Sequence, residues 1–235
     1  MSPVAGEIMC GPLGAQLSAL ARRIDAAGDM PALVALAPEI RAVGIGLVAA
    51  DAGAVLATRV LTELNDRLGA HVVALVGRQH RLPAASWCWL SFGSAARGEQ
   101  TFVTDQDNGL VFSAAGSGEA QAMRQLFQPF CRAVNEALDA CGFPLCTGEI
   151  MAGNPSWCLS LDEWRERFSG WIRTPDPEAL LNATIFFDFR TLYGNDALAK
   201  ALRKWLLDMT ANAKLFLRFM AENAVKATPP LGMIR

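Results

Sequence analysis

The stretch from Trp87 to Phe112 constrains this chain more than any other. It reads Trp-Cys-Trp-Leu-Ser-Phe, then Gly93-Ser94-Ala95-Ala96-Arg97-Gly98-Glu99-Gln100, then Thr104-Asp105-Gln106-Asp107, then Asn-Gly-Leu-Val-Phe. Trp87, Trp89 and Ser91 alternate with Cys88, Leu90 and Phe92, and all but the serine are apolar. That pattern predicts a strand buried on both faces. A Gly-Ser turn follows it, and a second short strand carries two aspartates one residue apart.

The sequence on either side is helical. Leu17, Leu20, Ala21 and Ile24 fall at i, i+3, i+4 and i+7, a stripe on one helix face. Gly28-Asp29 stops that helix, and Pro31 suits the first turn of the next, in which Leu33, Leu36, Ile40 and Val43 keep the period. Asp51 is a candidate cap for a third helix with Val60, Leu61, Leu64 and Leu68 on one face. Ala42 to Leu61 is the most apolar stretch, but Asp51 and Arg59 interrupt it, so it reads as a buried helix pair and not a membrane span. Residues 1–82 form an N-terminal helical region, 83–153 the central core and 154–235 a C-terminal helical region.

Within the core, helical spacing returns from about Ala120 to Ala140, and Cys141 to Gly153 holds a short apolar patch that could form a third strand. Further on, Ser160 and Glu163 fit a capping box. Trp157, Trp164 and Trp171 are spaced by seven, which on one continuous helix makes an aromatic seam. Thr184 to Arg190 is apolar around Asp188 and Arg190, read as an internal salt bridge. Asp196 is expected to cap a long final helix through Phe216. Together these elements make an α+β fold, a small mixed sheet flanked by N-terminal and C-terminal helical bundles.

Composition narrows the function. With 52% hydrophobic and 19% charged residues, the chain is built to bury a core. A net charge of -2 and the absence of a long basic run argue against a broad nucleic-acid surface. The six cysteines form no Cys-x-x-Cys pair, and the chain has only two histidines, His71 and His80. Buried free thiols of a cytoplasmic protein are therefore expected in preference to a zinc site. The first residues lack the charged and apolar regions of a signal peptide.

The chemistry lies in the central stretch. Residues i and i+2 of a strand share a side, so Asp105 and Asp107 project together. Two carboxylates so close repel unless a cation lies between them, and Mg²⁺ prefers such hard oxygen ligands. Gly93-Ser94 after a strand lets a phosphate approach the backbone, and Arg97 can neutralise a polyphosphate. Phosphate cradle, arginine and aspartate pair together describe nucleotidyl transfer, with attack at the α-phosphorus of a nucleoside triphosphate and loss of pyrophosphate.

The same residues resemble the nucleotidyltransferase superfamily of DNA polymerase beta. Gly93-Ser94-Ala95-Ala96-Arg97-Gly98-Glu99 and Thr104-Asp105-Gln106-Asp107-Asn108 are similar to a bacterial family assigned as nucleotidyltransferases from sequence. It is related to the uridylyltransferase of the nitrogen signal protein PII and is often fused to CBS and cyclic-nucleotide-binding domains. Asn154-Pro155-x-Trp157, Phe187-Asp188-Phe189-Arg190 and Tyr193-Gly194-Asn195-Asp196 resemble its C-terminal part.

The resemblance implies Mg²⁺ binding at Asp105 and Asp107, nucleotide phosphate binding at Gly93, Ser94 and Arg97, and a third catalytic acid. Asp188 is the first candidate for that acid, with Glu149 and Asp139 as the others. It further implies transfer of UMP or AMP to a protein or small-molecule acceptor, a role in signal transduction, and a cytoplasmic protein with no membrane partner; homodimer formation is open. A nucleotide-sensing module of the same fold without turnover is the alternative. A purely structural helical scaffold is disfavoured by the polar density of the central stretch. Members of the family tend to continue past a segment like Pro229-Pro230-Leu231-Gly232, so the chain is expected to be either a fragment of a longer protein or a short variant.

Overall fold

The computed structural model describes residues 12–49, 53–102 and 104–226. The proposed cap at Asp51 and the segment beyond Lys226 lie outside the described residues. Among the described residues three helices come first: α1 (Pro12–Ala26), α2 (Met30–Ala49) and α3 (Ala54–Arg78). Their stripes behave as the spacing predicts, with Leu17, Leu20, Ile24, Leu33, Leu36, Ile40, Leu61, Leu64 and Leu68 all buried. The Asp29 carboxylate accepts the Ala32 amide at 3.0 Å and so caps α2. By length and composition α2 could cross a membrane; here it lies against α3. A Cβ at Gly44 would stand 2.6 Å from the Leu61 side chain, so glycine lets the two helices approach closely.

The sheet contains β1 (Trp87–Phe92), β2 (Asn108–Phe112), β3 (Cys158–Ser160) and β4 (Phe189–Gly194), in the order β3-β2-β1-β4. β1 runs antiparallel to both neighbours, pairing Trp87 with Phe112 and Ser91 with Asn108 on one side and Phe92 with Phe189 on the other. β2 and β3 are parallel. The third strand is thus Cys158–Ser160; the Cys141 to Gly153 segment stays irregular because its amides and carbonyls are spent on turns and on the approach to β2.

The sheet is a wall between two cores. Trp89, Leu110 and Phe112 pack with α1–α3 and with α5 (Ser117–Ala140). Leu90, Phe92, Val111 and Phe189 face the opposite core, formed with α6 (Leu161–Arg173), α7 (Pro177–Phe186), α8 (Asp196–Thr210) and α9 (Lys214–Lys226). The continuous apolar character of β1 follows directly from this double burial, each large side chain contributing about 1.5–3 kcal/mol. A five-residue helix, α4 (Gly93–Arg97), follows β1.

The capping box forms: the Ser160 hydroxyl accepts from the Glu163 amide at 3.3 Å, and Glu163 accepts from the Ser160 amide at 2.8 Å. The tryptophan seam needs correction in its backbone. Trp157 belongs to a 3-10 turn before β3, while Trp164 and Trp171 lie on α6. The rings still meet, Trp157 stacking on Trp164 with centroids 6.2 Å apart. The final helix is two helices, broken around residues 211–213, and Asn195, not Asp196, caps the first by accepting the Ala197 amide. Arg190 pairs with Asp66 of α3 at 2.6 Å and not with Asp188, because Arg190 lies on the sheet face that looks toward α3.

Candidate metal and nucleotide site

The end of β1 is where the backbone turns and the charged residues gather. Phe92 N–H donates to the Asp107 carbonyl and Gly93 N–H to the Asp188 carbonyl, both at 3.0 Å. The two acids therefore flank the Gly-Ser turn, Asp107 on the β2 side and Asp188 on the β4 side. Gly93 has φ +54 and Gly98 has φ +75, left-handed conformations that a side chain resists. These glycines start and stop α4. Ser94 is half-buried in the first turn, and Arg97 is exposed at the far end.

Asp105 and Asp107 do not lie within the strand. They occupy an extended segment just before β2, whose ladder begins at Asn108. The alternation nevertheless holds: Gln106 is buried on one side while Asp105 is exposed and Asp107 half-buried on the other. A ligand atom from each acid and the Cys146 Sγ lie within 4.8 Å of one another. Cys146 Sγ is 3.5 Å from Asp107 Oδ1. Burial first, and the neighbouring Asp105 charge second, push the Asp107 carboxyl up to about 6. Burial likewise raises the Cys146 thiol. Among the described residues, neither aspartate has a basic ion-pair partner. Two hard carboxylates in a partly dehydrated place, with repulsion uncompensated, are a donor set that suits a divalent cation.

A buried amide network beneath the acids fixes this segment, and sequence reading missed it. The Gln106 amide donates to the Asn135 and Phe143 carbonyls, each at 2.9 Å. The Asn135 amide donates to Gln106 Oε1 at 2.7 Å and to Asn108 Oδ1 at 3.0 Å. Asn108 Oδ1 also accepts the Ala152 amide, and Asn135 Oδ1 the Gly153 amide. Gln106 N–H and Asn108 N–H donate to the carbonyls of Pro144 and Ile150, which straps the 144–150 loop against the acids. The available signal was polarity out of place: Asn135 in the apolar stripe of α5, and Gln106 and Asn108 two apart beside an apolar strand.

The other side of the turn is built differently. Arg97 donates to Glu99 and to Asp188, both at 2.8 Å, and these bonds hold its guanidinium in the charged form. Asp188 is outside the cluster of Asp105, Asp107 and Cys146, as are Glu149, exposed in the 144–150 loop, and Asp139, exposed near the end of α5. β3, the parallel neighbour of β2, offers Cys158, Leu159 and Ser160 and no carboxylate.

Arg190 is a second residue the sequence hid. Its guanidinium donates to the Ala95 carbonyl at 2.6 Å and to the Ala96 carbonyl at 3.2 Å while paired with Asp66, and so anchors α4 from the helical side. His71 and His80 each bond a backbone carbonyl, Ala27 and Val76 respectively, and take no part in the site.

No curated protein matches the chain. A family model described as "Putative nucleotidyltransferase DUF294" matches residues 38–178, a span that holds β1 to β3, the Gly-Ser turn, both aspartates and the strapped loop. The chain belongs to this nucleotidyltransferase family, DUF294.

Proposed function

We propose that this protein transfers a nucleoside monophosphate, UMP or AMP, from its triphosphate to a hydroxyl of a protein or small-molecule acceptor. A divalent cation, Mg²⁺ by the family resemblance, would be held at Asp105 and Asp107. The observation that carries the reading is the convergence of the two carboxylates beside the Gly93 turn without a basic partner among the described residues.

Bound there, the cation supplies charge stabilisation to the transferring phosphoryl group. The chain's own residues do the positioning. Gly93 leaves the backbone open beside Asp107, and Ser94 adds a hydroxyl donor. Arg97 bonds Glu99 through Nε and Asp188 through Nη1, and its remaining N–H groups can reach a triphosphate oxygen. Asp188 stands on the far side of the turn from Asp107; if Arg97 releases it, it can take the acceptor proton. The buried Gln106–Asn108–Asn135 network holds the acids in place, so little reorganisation accompanies the transfer. The test is incubation with α-labelled triphosphates, Mg²⁺ and cell lysate. Label should pass to an acceptor and vanish in the Asp105→Ala, Asp107→Ala double variant; label that persists overturns the assignment.

One observation favours a second reading, a nucleotide-sensing module without turnover. β3 carries no acid, and Asp188 is occupied by Arg97. Calorimetry with ATP and UTP, with and without Mg²⁺, separates the two. Tight binding with no pyrophosphate release supports the sensor, and absence of binding counts against both.

A further inference from the structure

We infer that Cys146 is the third protein ligand of the cation at Asp105 and Asp107, and that it turns the site toward a thiophilic divalent ion such as Zn²⁺. The inference rests on the reading of the two aspartates as metal ligands.

The spacing is the first argument. A tetrahedral zinc has Zn–S of about 2.3 Å and Zn–O of about 2.0 Å, which places sulfur and oxygen about 3.5 Å apart. Cys146 Sγ and Asp107 Oδ1 stand 3.5 Å apart, with Asp105 closing the triangle inside 4.8 Å. Three protein ligands with a fourth position open is the composition of catalytic zinc sites, whereas Mg²⁺, which completes its shell with water and phosphate oxygens, makes no use of a thiol.

The second argument is how the thiol comes to be there. Cys146 is only 9% exposed, and the loop is bent around it. Glu149 adopts φ +55, alone among the described non-glycine residues in having a positive φ. That bend lets the Glu149 amide donate back to the Cys146 carbonyl at 3.0 Å. A Cβ at Gly148 would lie 3.6 Å from the sulfur, so the loop backbone wraps it closely. The straps from Gln106 and Asn108 to Pro144 and Ile150 fix the loop at both ends. A costly left-handed residue kept in place by hydrogen bonds marks a geometry that the fold maintains.

The third argument is contrast. Cys88 bonds Thr191, Cys131 abuts Cys158, and Cys141 lies in the apolar core. Among the described cysteines, Cys146 alone has a carboxylate partner in a hydrogen bond. As the sulfur–metal bond forms, the thiol proton passes to solvent and the thiolate supplies the soft donor that distinguishes zinc-type ions from Mg²⁺.

The test is titration of the metal-free protein with Co²⁺, followed by absorbance. The wild type should show visible d–d bands and a near-ultraviolet sulfur-to-cobalt charge-transfer band. Cys146→Ser should lose the charge-transfer band and bind at least about tenfold more weakly, the scale seen even for outer-sphere partners. Cys146→Asp should bind Mg²⁺ more tightly and Zn²⁺ less tightly than the wild type. Melting curves of metal-free variants check that each is folded. Cobalt binding with no charge-transfer band, sensitive to Asp105→Asn and Asp107→Asn but not to Cys146→Ser, overturns the thiol as ligand and leaves the aspartate site standing. Cobalt binding indifferent to the aspartates overturns both.

Discussion

The two sides of the turn after β1 carry similar residues and spend them in opposite ways. On the β4 side, Asp188 and Glu99 share the Arg97 guanidinium, and all three side chains are at least 40% exposed. Such a cluster is neutralised and screened, and pairs of this kind contribute about 0–1 kcal/mol. On the β2 side, Asp107 is half-buried beside Asp105, no basic group among the described residues pairs with it, and its proton affinity is raised. An acid pair without a basic partner is eased by taking up a proton or by binding a cation. The difference teaches that count of carboxylates is a poor guide to a metal site, and that compensation is the better one.

This contrast can be broken at several points. The largest expected effect is on the β2 side: replacing Asp105 and Asp107 together with alanine should lower nucleotidyl transfer by about 10³-fold or more, read as label incorporation. Next comes the support beneath it. Asn135→Ala removes the donor to Gln106 and Asn108 and strands the Gly153 amide, so urea denaturation should show a loss of about 3 kcal/mol. Retention of full stability would mean that the network does not hold the segment.

The pH dependence is smaller and has a definite sign. Asp107 titrates at about 6 in the folded chain against 3.8 for a free carboxyl. Folding therefore favours its protonated form. Its contribution to the stability of the metal-free protein is complete below about pH 4 and is lost as pH rises through 6. Asp107→Asn, neutral throughout, should exceed the wild type at pH 7 by about 1–2 kcal/mol after solvent screening, and the gap should narrow below pH 6 and close by about pH 4. Thermal melts across that range measure it, and excess divalent ion should reverse the order at pH 7.

The smallest effect belongs to the β4 side. Asp188→Asn should change stability by less than about 1 kcal/mol, since the pair it breaks is exposed. Its effect on transfer sharpens the comparison: a drop as deep as that of Asp107→Asn would make Asp188 the third acid, and a change under about tenfold would leave it a brace for Arg97.

Local signals carried a large part of the fold. The two-sided burial of β1 was legible because every residue but Ser91 is apolar. The cap at Ser160 was legible because capping is a contact between near neighbours. Where the reading failed, the deciding contact was distant. The aspartates were taken as strand residues, but the ladder starts one residue later, after the Pro144 and Ile150 straps. Arg190 was matched with its neighbour in sequence, Asp188, and in space it holds Asp66. Cys146 was read with the other cysteines as a buried thiol, because a cysteine among prolines and glycines has no periodic signature that would set it apart.

The sequence by itself determined the alternation of strand and helix, the Gly-Ser turn, and the side-by-side projection of Asp105 and Asp107. These depend on backbone geometry over a few residues. Only the tertiary structure decided which charges are answered: Arg97 by Asp188, Arg190 by Asp66, and Asp107, among the described residues, by no basic group but approached by a thiol. Strand order and loop straps bring those groups together, and a charge or a sulfur leaves no trace of its partner in the residues beside it.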